Sequence, residues 1–290
     1  MTEELIGILG GTGLGDTLSQ QLSGGKFISV DTPFGKPSMP ICIGTIGKKK
    51  IAFLNRHGKG HSISPSEIPY AANIFALKKI GVRTIIGTGA VGSLIAKIAP
   101  ADLVIVDQFI DKTFKRQNSL FGGFGTVHCE MANPTCSRLG KTLLAAAKKI
   151  NVHTHKTGTY VCMEGPQFST RAESLMHIKW GGELIGMTAM PEVKFARESQ
   201  ICYALIALAS DYDCWKPVKS GDKLMLTRFI LSNLKQATDN CLKLIEAVLN
   251  NKAILADETC PCRKSLEFAI WTSAKEIKPK ETKRLKVLFE

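Results

Sequence analysis

The longest unbroken apolar run in the chain, Ile201 to Ala209, ends in Ser210-Asp211-Tyr212-Asp213-Cys214-Trp215. An aliphatic run of this length, bounded by polar residues, reads as a buried β-strand of the kind found in α/β folds. Its carboxyl end carries Asp211 and Asp213, two residues apart. Strand geometry, if it persists, puts both carboxylates on one side. There they can accept from, or protonate, a ligand in the crevice of an open α/β sheet. A charged turn after a strand is the plainer alternative, and only the rest of the chain decides between them.

Leu5 to Leu9 is a short strand entering Gly10-Gly11-Thr12-Gly13-Leu14-Gly15. The loop fails both standard nucleotide patterns, because Asp16 stands where a dinucleotide fingerprint needs Gly and a P-loop needs Lys. Its backbone N–H groups and the Thr12 hydroxyl suit an anion, and a plain glycine-rich turn is the alternative. A second strand, Lys50 to Leu54, ends in Asn55-Arg56-His57-Gly58-Lys59-Gly60-His61. There Arg56 offers a planar fork for phosphate and His57 a donor beside it. A third, Thr84 to Gly87, runs into Thr88-Gly89-Ala90-Val91-Gly92-Ser93. Three such junctions side by side in a sheet make one anion site.

Further strands are expected at Leu103 to Val106, Thr157 to Met163 and Glu183 to Met187. Helices are expected from a Ser66 cap to about Lys79, and over Ser137 to Ile150, Arg171 to Trp180, Pro191 to Ser199, Leu224 to Leu249 and Arg263 to Lys275. The alternation predicts one α/β domain over residues 1–250, with a helical extension at 251–275 and a basic tail at 276–290.

Composition narrows the class. With 44% hydrophobic and 22% charged residues the chain reads as an ordinary soluble globular protein. No signal peptide or membrane span is evident, so a cytoplasmic location is expected. The charge of +13 raises nucleic acid as a partner. Much of the excess sits at Lys275, Lys278, Lys280, Lys283, Arg284 and Lys286 with no recognition motif beside it, which predicts a solvated or weakly phosphate-attracting tail. Nine scattered cysteines do not form a secreted disulfide scaffold. Cys260-Pro261-Cys262 is left as a possible redox pair with no zinc pattern around it, and no metal is expected.

Seven segments taken together resemble the methylthioadenosine phosphorylases, within the trimeric purine nucleoside phosphorylase family. They are Gly10 to Gly13, Asn55 to Gly58, Gly89 to Ser93, Asp107 to Asp111, Glu164 to Ser169, Met187 to Glu192 and Asp211 to Trp215. The resemblance covers about residues 4–250 and implies a single α/β domain with a central mixed sheet, or distorted barrel, flanked by helices. It implies phosphorolysis: phosphate attacks C1′ of methylthioadenosine, releasing adenine and methylthioribose-1-phosphate, with no cofactor. Phosphate is then expected among Thr12, Arg56, His57, Gly89, Ala90 and Thr188. Asp211 would donate to N7 of the base and Asp213 would recognise the 6-amino group. Phe168 would pack on the purine and Met187 lie under the ribose, with Ala90 also touching substrate. His128 would be lent to a neighbouring subunit of a homotrimer.

Some positions depart from the pattern. Gly89 replaces a common hydroxyl residue and Gly186 a common asparagine, and Gly186-Met187 is closer to the 6-oxopurine phosphorylases. An enzyme acting on inosine, guanosine or methylthioinosine is therefore one alternative, opposed by Ser169 and Asp211, which favour a 6-aminopurine. A nucleic-acid-binding protein using the basic tail is another. No membrane partner is expected.

Overall fold

The computed structural model describes residues 4–11, 13, 14, 18, 22–217, 223–250, 257 and 259–290. In chain order the described strands are β1 (Leu5–Gly10), β2 (Ser23–Ile28), β3 (Ile41–Ile46), β4 (Lys49–Asn55), β5 (Thr84–Ser93), β6 (Leu103–Val106), β7 (Gln108–Lys112), β8 (Thr154–His155), β9 (Thr159–Met163), β10 (Leu184–Gly186) and β11 (Cys202–Asp211). The α-helices are α1 (Tyr70–Lys79), α2 (Ser137–Lys149), α3 (Arg171–Lys179), α4 (Glu192–Glu198), α5 (Lys223–Asn250) and α6 (Pro279–Leu285).

The strands form one mixed sheet in the order β2-β3-β4-β1-β5-β10-β9-β7, with β11 on β5 and β6, and β8 on β6. The apolar run behaves as its composition dictates. All of β11 from Cys202 to Ser210 is buried, parallel to β5 from Thr84 to Gly92. One apolar layer carries α2 and α5 and includes Leu139, Leu143, Cys241 and Leu244. The other carries α1 and α4, with Ile74, Phe75, Val193 and Phe195. Covering both faces is what an aliphatic-rich central strand requires.

Strand β5 carries the feature that matters for function. Its first half is paired on one edge by β1, through Leu9↔Gly87. The same edge is next occupied by β10, at Gly92 and Ser93, while β11 fills the other edge throughout. Thr88 to Val91 therefore have one edge with no strand partner among the described residues. The sheet splits there, beyond the carboxyl ends of the parallel strands β1 and β4. Ligands of α/β sheets bind at such a reversal.

Two expected helices are corrected. The first begins at Tyr70, not at Ser66, because the Ser66 hydroxyl donates to the Glu164 carboxylate at 2.5 Å rather than capping the helix. Arg263 to Lys275 is not a helix: a 3₁₀ turn spans Pro261–Lys264, followed by turns over 265–269 and 274–276. Long-range bonds override helix propensity there, including Ser265 Oγ to the Arg197 carbonyl and Trp271 N to the Thr126 carbonyl. The basic tail is not simply solvated either. It forms α6 and a final 3₁₀ turn, and it buries Leu285 and Leu288 in the core. Phe289 meets Phe121 and Phe124, while the lysines stay exposed.

Candidate active site

The ends of β1 and β4 meet the middle of β5 at the split; the third expected junction is not a strand end, because β5 continues as a strand through Ser93, held by β11. The Arg56 amide donates to the Gly10 carbonyl at 3.0 Å, holding the end of β4 against β1. The Arg56 side chain is 0% exposed and turns toward β5, where Nη1 donates to the Thr88 carbonyl at 2.7 Å. Nε and Nη2 make a two-pronged contact with Glu192, at 2.5 and 2.7 Å. Burial alone would weaken the charge on Arg56, and Glu192 more than offsets it. Tyr203 on β11 donates to the same carboxylate at 2.6 Å. The guanidinium is thus oriented by Glu192 as well as available by type.

His57 is buried, with Nδ1 2.9 Å from the Ile63 carbonyl and its ring stacked on His61, centroids 3.9 Å apart. Burial pushes its pKa down to about 4, against an ordinary 6.5. The ring is neutral near pH 7, and a carbonyl partner requires the proton on Nδ1. The remaining nitrogen is then an acceptor, not the donor expected beside Arg56. Facing these groups, Gly89 lies against Thr188: a Cβ there would sit 3.5 Å from Thr188 Oγ1. Gly11 passes the guanidinium similarly, 3.4 Å from Arg56 Nη1. Ala90, next along β5, is half-buried at the unpaired edge. Thr12 lies outside the described residues.

The acid pair closes the other side. A bulge skips Ser210, so that Asp211 pairs with Gly92. Strand geometry does not persist beyond it, and Asp213 adopts φ 49°. The two carboxylates come together by a turn: Asp211 Oδ1 accepts from the Asp213 amide at 2.7 Å and Oδ2 from the Ser210 hydroxyl at 2.6 Å. Burial pushes the Asp213 carboxyl up, the Ser174 hydroxyl opposes this, and the charge of Asp211 adds to it. Gly92 is needed for the close approach, since a Cβ there would lie 3.1 Å from Asp213 Cβ and 3.3 Å from Asp211 Oδ1. Trp215 Nε1 pins the loop to the Ser93 carbonyl at 2.8 Å.

The remaining candidates sit on two loops tied to this frame. The Cys214 thiol donates to the Ser169 carbonyl at 3.3 Å, which brings Phe168 beside the acid loop. Phe168 is 85% exposed. Met187 packs on Gly165, whose added Cβ would be 2.6 Å from the sulfur. Arg116 escaped the sequence reading and organises both loops. It bonds the Met187 and Met190 carbonyls and pairs with Glu164 at 2.9 Å. Glu164 in turn accepts from the Phe114 and Lys115 amides and from Ser66. No motif marked Arg116, because its partners are separated from it by 46 to 74 residues.

One departure now has a physical account. A Cβ on Gly186 would lie 2.6 Å from Tyr160 Cζ, so the space of an asparagine is filled by a buried tyrosine. Gly186 thereby follows from Tyr160 and says nothing about the base. His128 is exposed, its amide bonded to the Ala269 carbonyl and its ring edge-on to Trp271. No contact described here links it to the acid pair, Phe168 or Met187.

Comparison with known proteins identifies the family. The phosphorylase superfamily pattern matches residues 5–250. The S-methyl-5'-thioadenosine phosphorylase of Geobacter sulfurreducens is 43% identical over 97% of this chain and 96% of its own length. That of Saccharolobus solfataricus is 45% identical over 91% and 96%. Among solved structures, a methylthioadenosine phosphorylase from an Antarctic soil metagenomic library superposes with a TM-score of 0.88 at 37% identity, covering 100% of both chains. The Schistosoma mansoni methylthioadenosine phosphorylase, solved with adenine, gives 0.83 at 32% identity over 93% of this chain and 99% of that one. By its sequence, its sheet and the residues gathered where that sheet splits, the chain belongs to the phosphorylase superfamily, within the family of S-methyl-5'-thioadenosine phosphorylases.

Proposed function

We propose that the protein carries out phosphorolysis of 5'-methylthioadenosine, giving adenine and 5-methylthioribose-1-phosphate. The observation that carries the proposal is the split of the sheet at Thr88 to Val91, with a carboxylate-oriented Arg56 on one side and the Asp211–Asp213 pair on the other. Phosphate is the co-substrate, held by Thr12, Arg56, His57, Gly89, Ala90 and Thr188, and the reaction draws on no organic cofactor. Glycine at 89 leaves backbone rather than a side-chain hydroxyl there. A neutral His57 accepts the proton of a phosphate P–OH, or takes up a proton as the dianion arrives. Set against an oxocarbenium-like ribosyl group, the bound phosphate is nucleophile and counter-charge together.

The base chemistry falls to the acid pair, with Asp211 at N7 and Asp213 at the 6-amino group. Burial pushes the Asp213 carboxyl up, and the neighbouring charge of Asp211 adds to this. Protonation at N7 makes adenine a better leaving group. Phe168 covers the purine and Met187 the ribose. We further propose a cytoplasmic homotrimer in which His128 completes the site of a neighbouring chain. Exposed aromatics on the chain, Phe168 and Trp271 (75% exposed) among them, suit such burial. Among the described residues no helix is long and apolar enough to cross a membrane.

The test is Asp211→Asn and Asp213→Asn, assayed on methylthioadenosine and on methylthioinosine. Each is expected to lower kcat/KM for methylthioadenosine by about 10²–10⁴-fold, the range for losing a positioned proton donor or acceptor. Relative loss on methylthioinosine should be smaller, because an amide can donate to a 6-oxo group. Unchanged turnover of methylthioadenosine by both variants would overturn the assignment.

A further inference from the structure

Cys136, Cys202, Cys260 and Cys262 come from three distant parts of the chain, and their sulfurs all lie within 4.8 Å of one another. Cys136 caps the amino end of α2, Cys202 opens β11, and Cys260 and Cys262 bracket Pro261 in the 3₁₀ turn. All four are buried. We propose that they form a closed tetrathiolate site for one zinc-class divalent ion, which fastens the carboxyl-terminal segment to the sheet.

The spacing is that of a shared centre. A tetrahedron with Zn–S bonds of about 2.3 Å has edges of about 3.8 Å, whereas a disulfide needs about 2.05 Å. The Cys136 and Cys260 sulfurs are 3.7 Å apart. The surroundings suit the charge as well. Zinc with four thiolates carries a net charge of −2, and two guanidiniums face the sulfurs: Arg138 Nη2 is 3.7 Å from Cys202 Sγ, and Arg197 Nη1 is 3.7 Å from Cys262 Sγ. Arg138 also lies 3.8 Å from Asp257. Cys136 stands at the positive end of the thirteen-residue α2. Hydrogen bonds to ligating sulfurs from outside the first ring of ligands are a regular feature of such sites. Buried cysteines used only as small hydrophobes need no arginines pointed at them.

Loading the site is balanced by proton release: four thiols bind one Zn²⁺ and give up four protons, with no oxidant or reductant involved. Four protein ligands leave no open position, so the ion is structural. It also lies far from the reaction, since Cys202 and Asp211 are opposite ends of one strand, about 30 Å apart. The sequence hid the site because only the C-x-C pair is local.

The test is elemental analysis of protein purified without chelators, followed by release of the metal with a thiol-blocking mercurial and by exchange with cobalt. One zinc per chain is expected, with intense visible cobalt absorption of the tetrahedral thiolate type. Cys260→Ser and Cys262→Ser should lose the metal and melt at lower temperature, while Cys42→Ser, a buried cysteine outside the cluster, keeps it. Phosphorolysis by metal-stripped protein, below its melting temperature, should be unchanged. Because the cobalt spectrum is read on the unaltered chain, a variant that fails to fold does not rescue the idea. Nine titratable thiols without stoichiometric metal, or a mass deficit of two hydrogens per pair from disulfides, would overturn it.

Discussion

Single side chains at the split are chosen by their neighbours more than by the ligand. Gly186 is the clearest case, because Tyr160 occupies the space that any side chain there would need. Gly186→Asn should destabilise the fold by about 1–3 kcal/mol, the range for overpacking. Tyr160→Ala in the same chain should make the pair less destabilising than the sum of the two, read by chemical denaturation. Strict additivity would mean that Tyr160 is not what excludes the side chain. His57 gives a pH test. Its native pKa of about 4 lies below the unfolded 6.5, so the unfolded chain binds the extra proton between these values. Stability present above pH 6.5 is therefore lost as pH falls toward 4, by about 1 kcal/mol at pH 5 after allowing for solvent screening. Glu198, pushed up by burial to about 6, contributes in the opposite direction and cancels when two proteins are compared. From pH 7 to pH 5 the melting temperature of the unaltered protein should fall relative to that of His57→Asn, and parallel profiles would refute the neutral buried ring. Arg56, His57 and the two aspartates were legible by residue type. The Glu192 partner of Arg56, 136 residues away, was not, because an acidic residue at a helix start also has a local explanation.

The elements were legible where their signal is local and misread where distant contacts decide. β11, β5 and β6 follow from aliphatic runs, and α2 from Ser137 and the apolar positions Leu139, Leu143, Ala146 and Ala147. Residues 263–275 carry helix formers but are held by bonds to Arg197 and Thr126. The tail likewise hid two core leucines among its lysines. Leu288→Ala should cost about 2–5 kcal/mol, as deletion of a buried leucine does. Lys283→Glu, on an exposed position beside it, should stay within about 0.5 kcal/mol. A neutral Leu288→Ala would return the segment to a solvated tail. The same packing means that removing residues 276–290 tests stability before it tests nucleic-acid binding, so charge reversal of the exposed lysines is the cleaner probe.

At the scale of the molecule, one topological fact organises the rest: β1 and β10 share an edge of β5 without meeting. The gap gathers an arginine, a threonine and small residues from the ends of β1, β4 and β10 and the middle of β5, and the β11 bulge turns both carboxylates onto it. From the sequence, three loops of the same chemical type suggested this convergence. The gap itself depends on register, which no single segment encodes. The proposed anion site, facing the acid pair across the split, predicts one behaviour most directly: base release that depends on phosphate. Methylthioadenosine and inosine, each incubated with and without phosphate, supply the measurement. The account predicts adenine from methylthioadenosine only when phosphate is present. Hypoxanthine from inosine in its place, or adenine released equally well without phosphate, would contradict it.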